Sequence, residues 1–170
     1  RNHAALLRLL ELGVQLRYFD HHKVDHIPQH PALQACIDFD PQVCTSLLMD
    51  RQLGGRFRAW ALVGAYGDNL TRVADELAAG MGLGEAERRQ LRLLGEGINY
   101  NAYGDDASDQ HIAPQQLYAR LSRHAQPLDL LRHDRIGSEL DALRRADLQR
   151  ALAQQIHGAG SAARWVSLPD

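Results

Sequence analysis

The sequence predicts a helix-rich α/β fold with a parallel sheet. Three observations lead there. Leu6, Leu7, Leu9 and Leu10 recur at helical spacing. A few residues later Val14, Leu16 and Tyr18 alternate with polar residues, as a strand does. Helix, short turn and strand make the second half of a βαβ unit, whose implied first strand would precede Arg1. Beyond a second short apolar run, nearly every segment carries helical periodicity.

Taken in order, the first helix ends at Gly13, a residue suited to a helix C-terminus. The strand "VQLRYF" finishes on Phe19, immediately before Asp20, His21 and His22. Pro28 and Pro31 make residues 25–34 a loop, and "ACIDF" is a second strand. Asp40 and Pro41 then open a helix, with Pro41 in its first turn where a missing N–H costs nothing, and Gly54-Gly55 stops it. The near-continuous apolar run "AWALVGAY" predicts a buried helix, with Gly64 and Gly67 admitting another backbone. Two amphipathic helices, "LTRVADELAAGMGL" and "GEAERRQLRLLGEGINYNAYG", come next, then a polar, acidic loop over 104–113. Pro114 to about His157 reads as helical, followed by a Gly-Ala-Gly-Ser linker and a final strand. The sequence begins without methionine inside a helical pattern and stops at Pro169-Asp170, so it is expected to be part of a longer protein. The expected organisation is a core over 1–111 and a helical extension with linker over 112–170.

Composition narrows the function classes. At 45% hydrophobic and 24% charged residues the chain is globular in type. A formal net charge of −2 gives no general pull toward duplex nucleic acid, so any nucleotide contact has to be local. Cys36 and Cys44 are too few, and too far apart, for a zinc cage, and both are expected to be reduced. No apolar run has the length of a membrane span and no signal peptide is visible, which leads to the expectation of a cytoplasmic protein without membrane contact.

The chemistry concentrates in "YFDHHK". The C-terminal end of a strand is where open α/β sheets place ligands, and here it carries a carboxylate and two imidazoles. Such donors suit Mn²⁺, Fe²⁺, Co²⁺ or Zn²⁺. Adjacent strand residues face opposite sides, so one histidine should hold metal while the other reaches substrate or orients a neighbour. A second feature is Asp68, which ends the small-residue run "ALVGAYGDNL". It either caps the following helix, for which aspartate is well suited, or points into a polar site.

Together, "YFDHHK" and "WALVGAYGDN" resemble the DHH superfamily of metal-dependent phosphoesterases, which includes RecJ-type exonucleases, oligoribonucleases, cyclic-dinucleotide phosphodiesterases and family II pyrophosphatases. "CTSLLMDRQLGG" is similar to the helix these proteins carry between the triplet and the next acidic motif, and "INYNAYGDDASDQHIAP" looks like a segment of one bacterial branch. The resemblance is specific over residues 1 to about 75. It implies a partial DHH-type core with a parallel sheet. It implies that His21 is a metal ligand, that Asp20 lies beside the metals and holds the histidines, that His22 faces the substrate phosphate, and that Asp68 is a second ligand. Two Mn²⁺ ions about 3.5–4 Å apart would clamp a phosphoryl oxygen and generate hydroxide. His22, if protonated, would stabilise charge on the phosphoryl oxygens. The family's Asp-x-Asp-Gly motif, its isolated aspartate and its glycine-rich substrate motif do not occur in these 170 residues. By charge counting, this chain alone should bind metal weakly and hydrolyse little.

Other groups are weighed beside these. Asp25, His26 and His30 read as solvated loop residues before they read as ligands. The acidic loop with Asp105, Asp106, Asp109 and His111 lacks the glycine of a calcium loop and suits a lid or a surface loop. Asn99, Tyr100, Asn101 and Tyr103 could stack on and hydrogen-bond a nucleobase, or could simply pack a helix end. Arg51, Arg56 and Arg58 flank the helices leading to Asp68 and are the arginines best placed for phosphate. The expected substrate is a phosphate-containing small molecule, a short oligonucleotide or a cyclic dinucleotide in preference to pyrophosphate, with a homodimer possible in principle. The alternative is a degenerate domain that binds or oligomerises without catalysis, in which Asp20, His21 and His22 form a hydrogen-bonded turn.

Overall fold

The structure is a computed structural model and describes residues 3–24, 26–104 and 110–153. It is helix-rich with a small parallel sheet: α1 (His3–Glu11), β1 (Leu16–Asp20), β2 (Leu33–Ile37), α2 (Thr45–Gln52), α3 (Arg58–Gly67), α4 (Thr71–Gly80), α5 (Glu85–Asn101), α6 (Pro114–Leu121), α7 (Pro127–His133) and α8 (Ile136–Ala153). The mixed α/β class is thus the one the sequence predicts.

β1 and β2 run parallel, with Leu16 opposite Leu33 and Asp20 opposite Ile37. The described residues between them, Pro28 and Pro31 included, form no helix, where a helix is the usual connection. β2 begins two residues earlier than "ACIDF" implies. Ladder bonding already starts where Leu16 N–H reaches Ala32 O at 2.7 Å. After Ile37 the chain peels away, because Asp38 and Asp40 accept the N–H groups of Asp40 and Gln42 in successive tight turns.

Those turns also correct the start of α2. Pro41 lies in the turn, Val43 N–H bonds Asp40 O, and the helix begins only after Cys44, whose φ of −123° and ψ of 166° are those of an N-cap. The long helical stretch expected from Pro114 breaks twice for identifiable reasons. Pro127 forces Gln126 into extended backbone and starts α7. Asp134 is extended too, and its carboxylate accepts Ile136 N–H at 2.8 Å, opening α8.

The core is built where α3 crosses α5. Leu62, Ala65, Leu91 and Leu94 are fully buried, joined by Leu47 from α2 and Ala74 and Ala78 from α4. Leu117, Leu130, Ile136 and Leu140, from the stretch expected to be an extension, belong to the same cluster. Two glycines permit the crossing. A Cβ on Gly95 would stand 2.2 Å from Val63 O, and one on Gly67 would stand 2.8 Å from Gly95 O. Gly64 has a different role: its space is taken by the Ser46 side chain. The linker and final strand expected near the C-terminus lie outside the described residues, as do Asp25, Asp105, Asp106 and Asp109.

Candidate metal centre and its two clefts

The alternation of β1 sorts the site's side chains. Tyr18 and Asp20 share one face, and their groups meet: the Tyr18 hydroxyl donates to Asp20 Oδ2 at 2.7 Å. Asp20 Oδ1 accepts from His21 N–H at 2.8 Å and from His22 N–H at 3.1 Å, and lies 2.7 Å from His22 Nδ1. Burial works against the ionised carboxylate, but the bonds from Tyr18, His22 and the two N–H groups outweigh it and hold Asp20 far below the usual carboxylate range. The Asp20 hydrogen bond to Tyr18 in turn raises the phenol above its ordinary value. An ionised Asp20 takes the proton-bearing Nδ1 of His22 and leaves Nε2 as the free nitrogen.

His21 turns the other way. Its Nε2 lies 3.4 Å from Asp68 Oδ2, although the two rings of His21 and His22 stay 4.3 Å apart at their centroids. Asp68 does not cap α4: the N-cap there is Leu70, with no side-chain cap bond. Asp68 instead closes α3 as its C-cap, and Asn69 follows with φ of 61°. A carboxylate at a helix C-terminus is electrostatically unfavourable and gains from a nearby cation.

Two donors about 2.1 Å from one ion stand about 3.0–3.4 Å apart at octahedral or tetrahedral angles. The His21–Asp68 separation therefore fits one edge of a coordination sphere. Among the described residues no group of three or more His, Cys, Asp and Glu is placed to hold a metal ion. His21 and Asp68 stand there as two potential donors 3.4 Å apart.

His21 and His22 open onto different clefts. His22, with Asp20, Tyr18, Lys23, His3 and His26, lines a cleft of about 500 Å³. His21 and Asp68 sit at a groove of about 400 Å³ between α2, α3 and α5, lined by Trp60, Gly67, Ile98 and Asn99 among others. Both are in the size range of small-molecule sites.

The remaining expected contacts are placed elsewhere. Arg58 Nε bonds Asp50 Oδ2 at 3.1 Å, and Asp50 is buried with its other oxygen unpartnered among the described residues. Arg51 lies 3.4 Å from Asp38, and Arg56 stacks on the Phe57 ring. None of the three lines either cleft. Asn101 is 3% exposed, and both ends of its amide hold Ile112: Nδ2 donates to the carbonyl at 2.8 Å and Oδ1 accepts the N–H at 2.9 Å. It fastens the end of α5 to the chain entering α6 and is already committed at both amide atoms. Tyr103 is largely exposed and lines neither cleft. Tyr100 donates to Asp147 at 2.7 Å, and burial together with that bond pushes its phenol up to about 12. His111 Nε2 reaches the same Asp147 oxygen at 2.6 Å.

Sequence reasoning missed Tyr18, although its spacing of two from Asp20 on a strand was the signal for it. Trp60 was missed as well, because its place in one groove with Asn99 depends on the helix crossing itself. Among the described residues no helix is long and apolar enough to cross a membrane. Comparisons with protein-family models, with curated proteins and with solved structures found no match to the chain.

Proposed function

We propose that this chain carries part of the active site of a DHH-type, Mn²⁺-dependent phosphoesterase acting on short oligonucleotides or cyclic dinucleotides. The observation that carries the reading is the convergence of His21 Nε2 and Asp68 Oδ2 from distant parts of the sequence to a ligand-edge separation of 3.4 Å. In this reading His21 and Asp68 hold metal, which would act as a Lewis acid and lower the pKa of bound water toward about 7. Asp20, kept ionised, fixes the His22 ring through Nδ1, with that ring 4.3 Å from the ring of His21, so that a protonated His22 would donate a hydrogen bond to a phosphoryl oxygen held beside the metal. His21 and Asp68 bring one negative charge between them, so the chain by itself is expected to hydrolyse little.

The test is where Mn²⁺ binds. In an NMR titration, paramagnetic broadening should centre on His21, Gly67, Asp68 and Asn69 and be lost in His21→Ala. Broadening spread over the acidic surface, unchanged in His21→Ala, would remove the metal site and the reading with it.

A second reading has its own support. The Asp20 carboxylate is saturated by internal hydrogen bonds, and the described residues offer no third ligand. Both facts suit a non-catalytic module in which the triplet is a structural turn. Unfocused Mn²⁺ broadening is the result it expects.

A further inference from the structure

The groove beside His21 and Asp68 contains two side chains that point to a ligand. Asn99 is half-buried on α5, and its amide has no hydrogen-bond partner among the described residues, whereas Asn101 two residues on is fully engaged. Asparagine amides offer a donor and an acceptor side by side, the pattern that a base edge matches. Trp60 lines the same groove with its ring locked, because Nε1–H donates to His124 O at 3.2 Å and Ala125 O at 3.1 Å. A fixed indole is a stacking surface with little entropy left to lose. Ile98 adds an apolar wall, and the floor is the close α3–α5 crossing at Gly67 and Gly95, where no side chain can intrude.

Inorganic pyrophosphate or polyphosphate would find little here, since no lysine or arginine among the described residues lines the groove. A planar heterocycle would find a ring, an apolar wall and a paired donor and acceptor. We infer that this groove holds the nucleobase of a substrate whose phosphate lies toward His21 and Asp68. The base-facing groups are then Trp60 and Asn99, of which the sequence suggested Asn99 beside Tyr100, Asn101 and Tyr103. This assignment rests on the phosphoesterase reading for the position of the phosphate, and on the groove alone for the base.

The experiment separates the two. The chain is titrated with 5′-AMP, adenosine and inorganic phosphate while the Trp60 indole and Asn99 side-chain amide signals are followed by NMR. AMP and adenosine should shift both signals saturably, and phosphate should shift neither. Asn99→Ala should weaken the AMP midpoint, read at Trp60, about five- to tenfold, the loss of one or two hydrogen bonds, in a spectrum that itself reports retention of the fold. If millimolar AMP leaves Trp60 and Asn99 unmoved, or binds Asn99→Ala as tightly as the wild type, the base assignment is wrong. Either result counts against the base assignment whether or not Mn²⁺ centres on His21, and the Mn²⁺ titration judges the phosphoesterase reading separately.

Discussion

At the scale of single residues, Asp20 ties strand, turn and candidate catalytic histidine together through one carboxylate. Asp20→Asn keeps the shape but loses the charge that His22 Nδ1 and two backbone N–H groups use. Hydrogen bonds to charged groups contribute about 1.5–3 kcal/mol each at most, and they overlap on one carboxylate, so a loss of about 2 kcal/mol near pH 7 is expected in urea unfolding. The pH dependence has a definite sign. Asp20 is depressed in the folded chain relative to about 3.9 when unfolded. Its contribution is therefore fully present above that value and is lost as pH falls below about 4. Wild type and Asp20→Asn should converge in stability on acidification. A gap that stays constant from neutral pH down to about pH 2 would show that the charge of Asp20 is not what the turn uses.

At the scale of elements, what was legible from the sequence had a local cause. α1, β1 and the four helices α2 to α5 follow from apolar spacing and glycine punctuation, and Asp20, His21 and His22 from their place at a strand end. What was not legible depended on competition between local options. The Asx-type turns at Asp38 and Asp40 took the start of α2 from Pro41, and Asp134 split a stretch whose periodicity runs on unbroken. Glycine partners across helices were equally hidden, since sequence gives the small residue but not the neighbour. Two substitutions measure that difference. Gly95→Ala places a methyl against Val63 O and Gly67 N, backbone atoms that cannot yield without parting α3 from α5, and should cost about 3 kcal/mol or more. Gly80→Ala, at the end of α4 with nothing within 4 Å of the new Cβ, should be neutral or stabilise by up to about 1 kcal/mol. Thermal unfolding of the two variants decides it. Equal effects would mean that the α3–α5 crossing is looser than these contacts.

At the scale of the whole molecule, the candidate metal pair joins two parts of unequal solidity. Asp68 closes α3, whose Leu62 and Ala65 are wholly buried. His21 follows β1, which among the described residues pairs with β2 alone in a sheet that is only partly covered, with Leu7, Leu12, Val14 and Phe39 exposed on the flanking segments. Two strands with so little covering surface are marginal alone, so β1 and β2 should open at a lower free energy than α3 and α5. Hydrogen exchange of Tyr18 and Phe19 amides should accordingly run at least about 100-fold faster than that of Leu62, Leu91 and Leu94. An ion held by both His21 and Asp68 would bind only the closed arrangement, and would stabilise it by about 2.7 kcal/mol at one hundred times its dissociation constant. Mn²⁺ should then slow exchange in β1 and β2 selectively, leave Leu91 and Leu94 unchanged, and lose this effect in Asp68→Asn. Mg²⁺ or Ca²⁺ at equal ionic strength controls for general screening. Slowing that is uniform over the chain, or that survives Asp68→Asn, would mean that no ion bridges the sheet to the helical core.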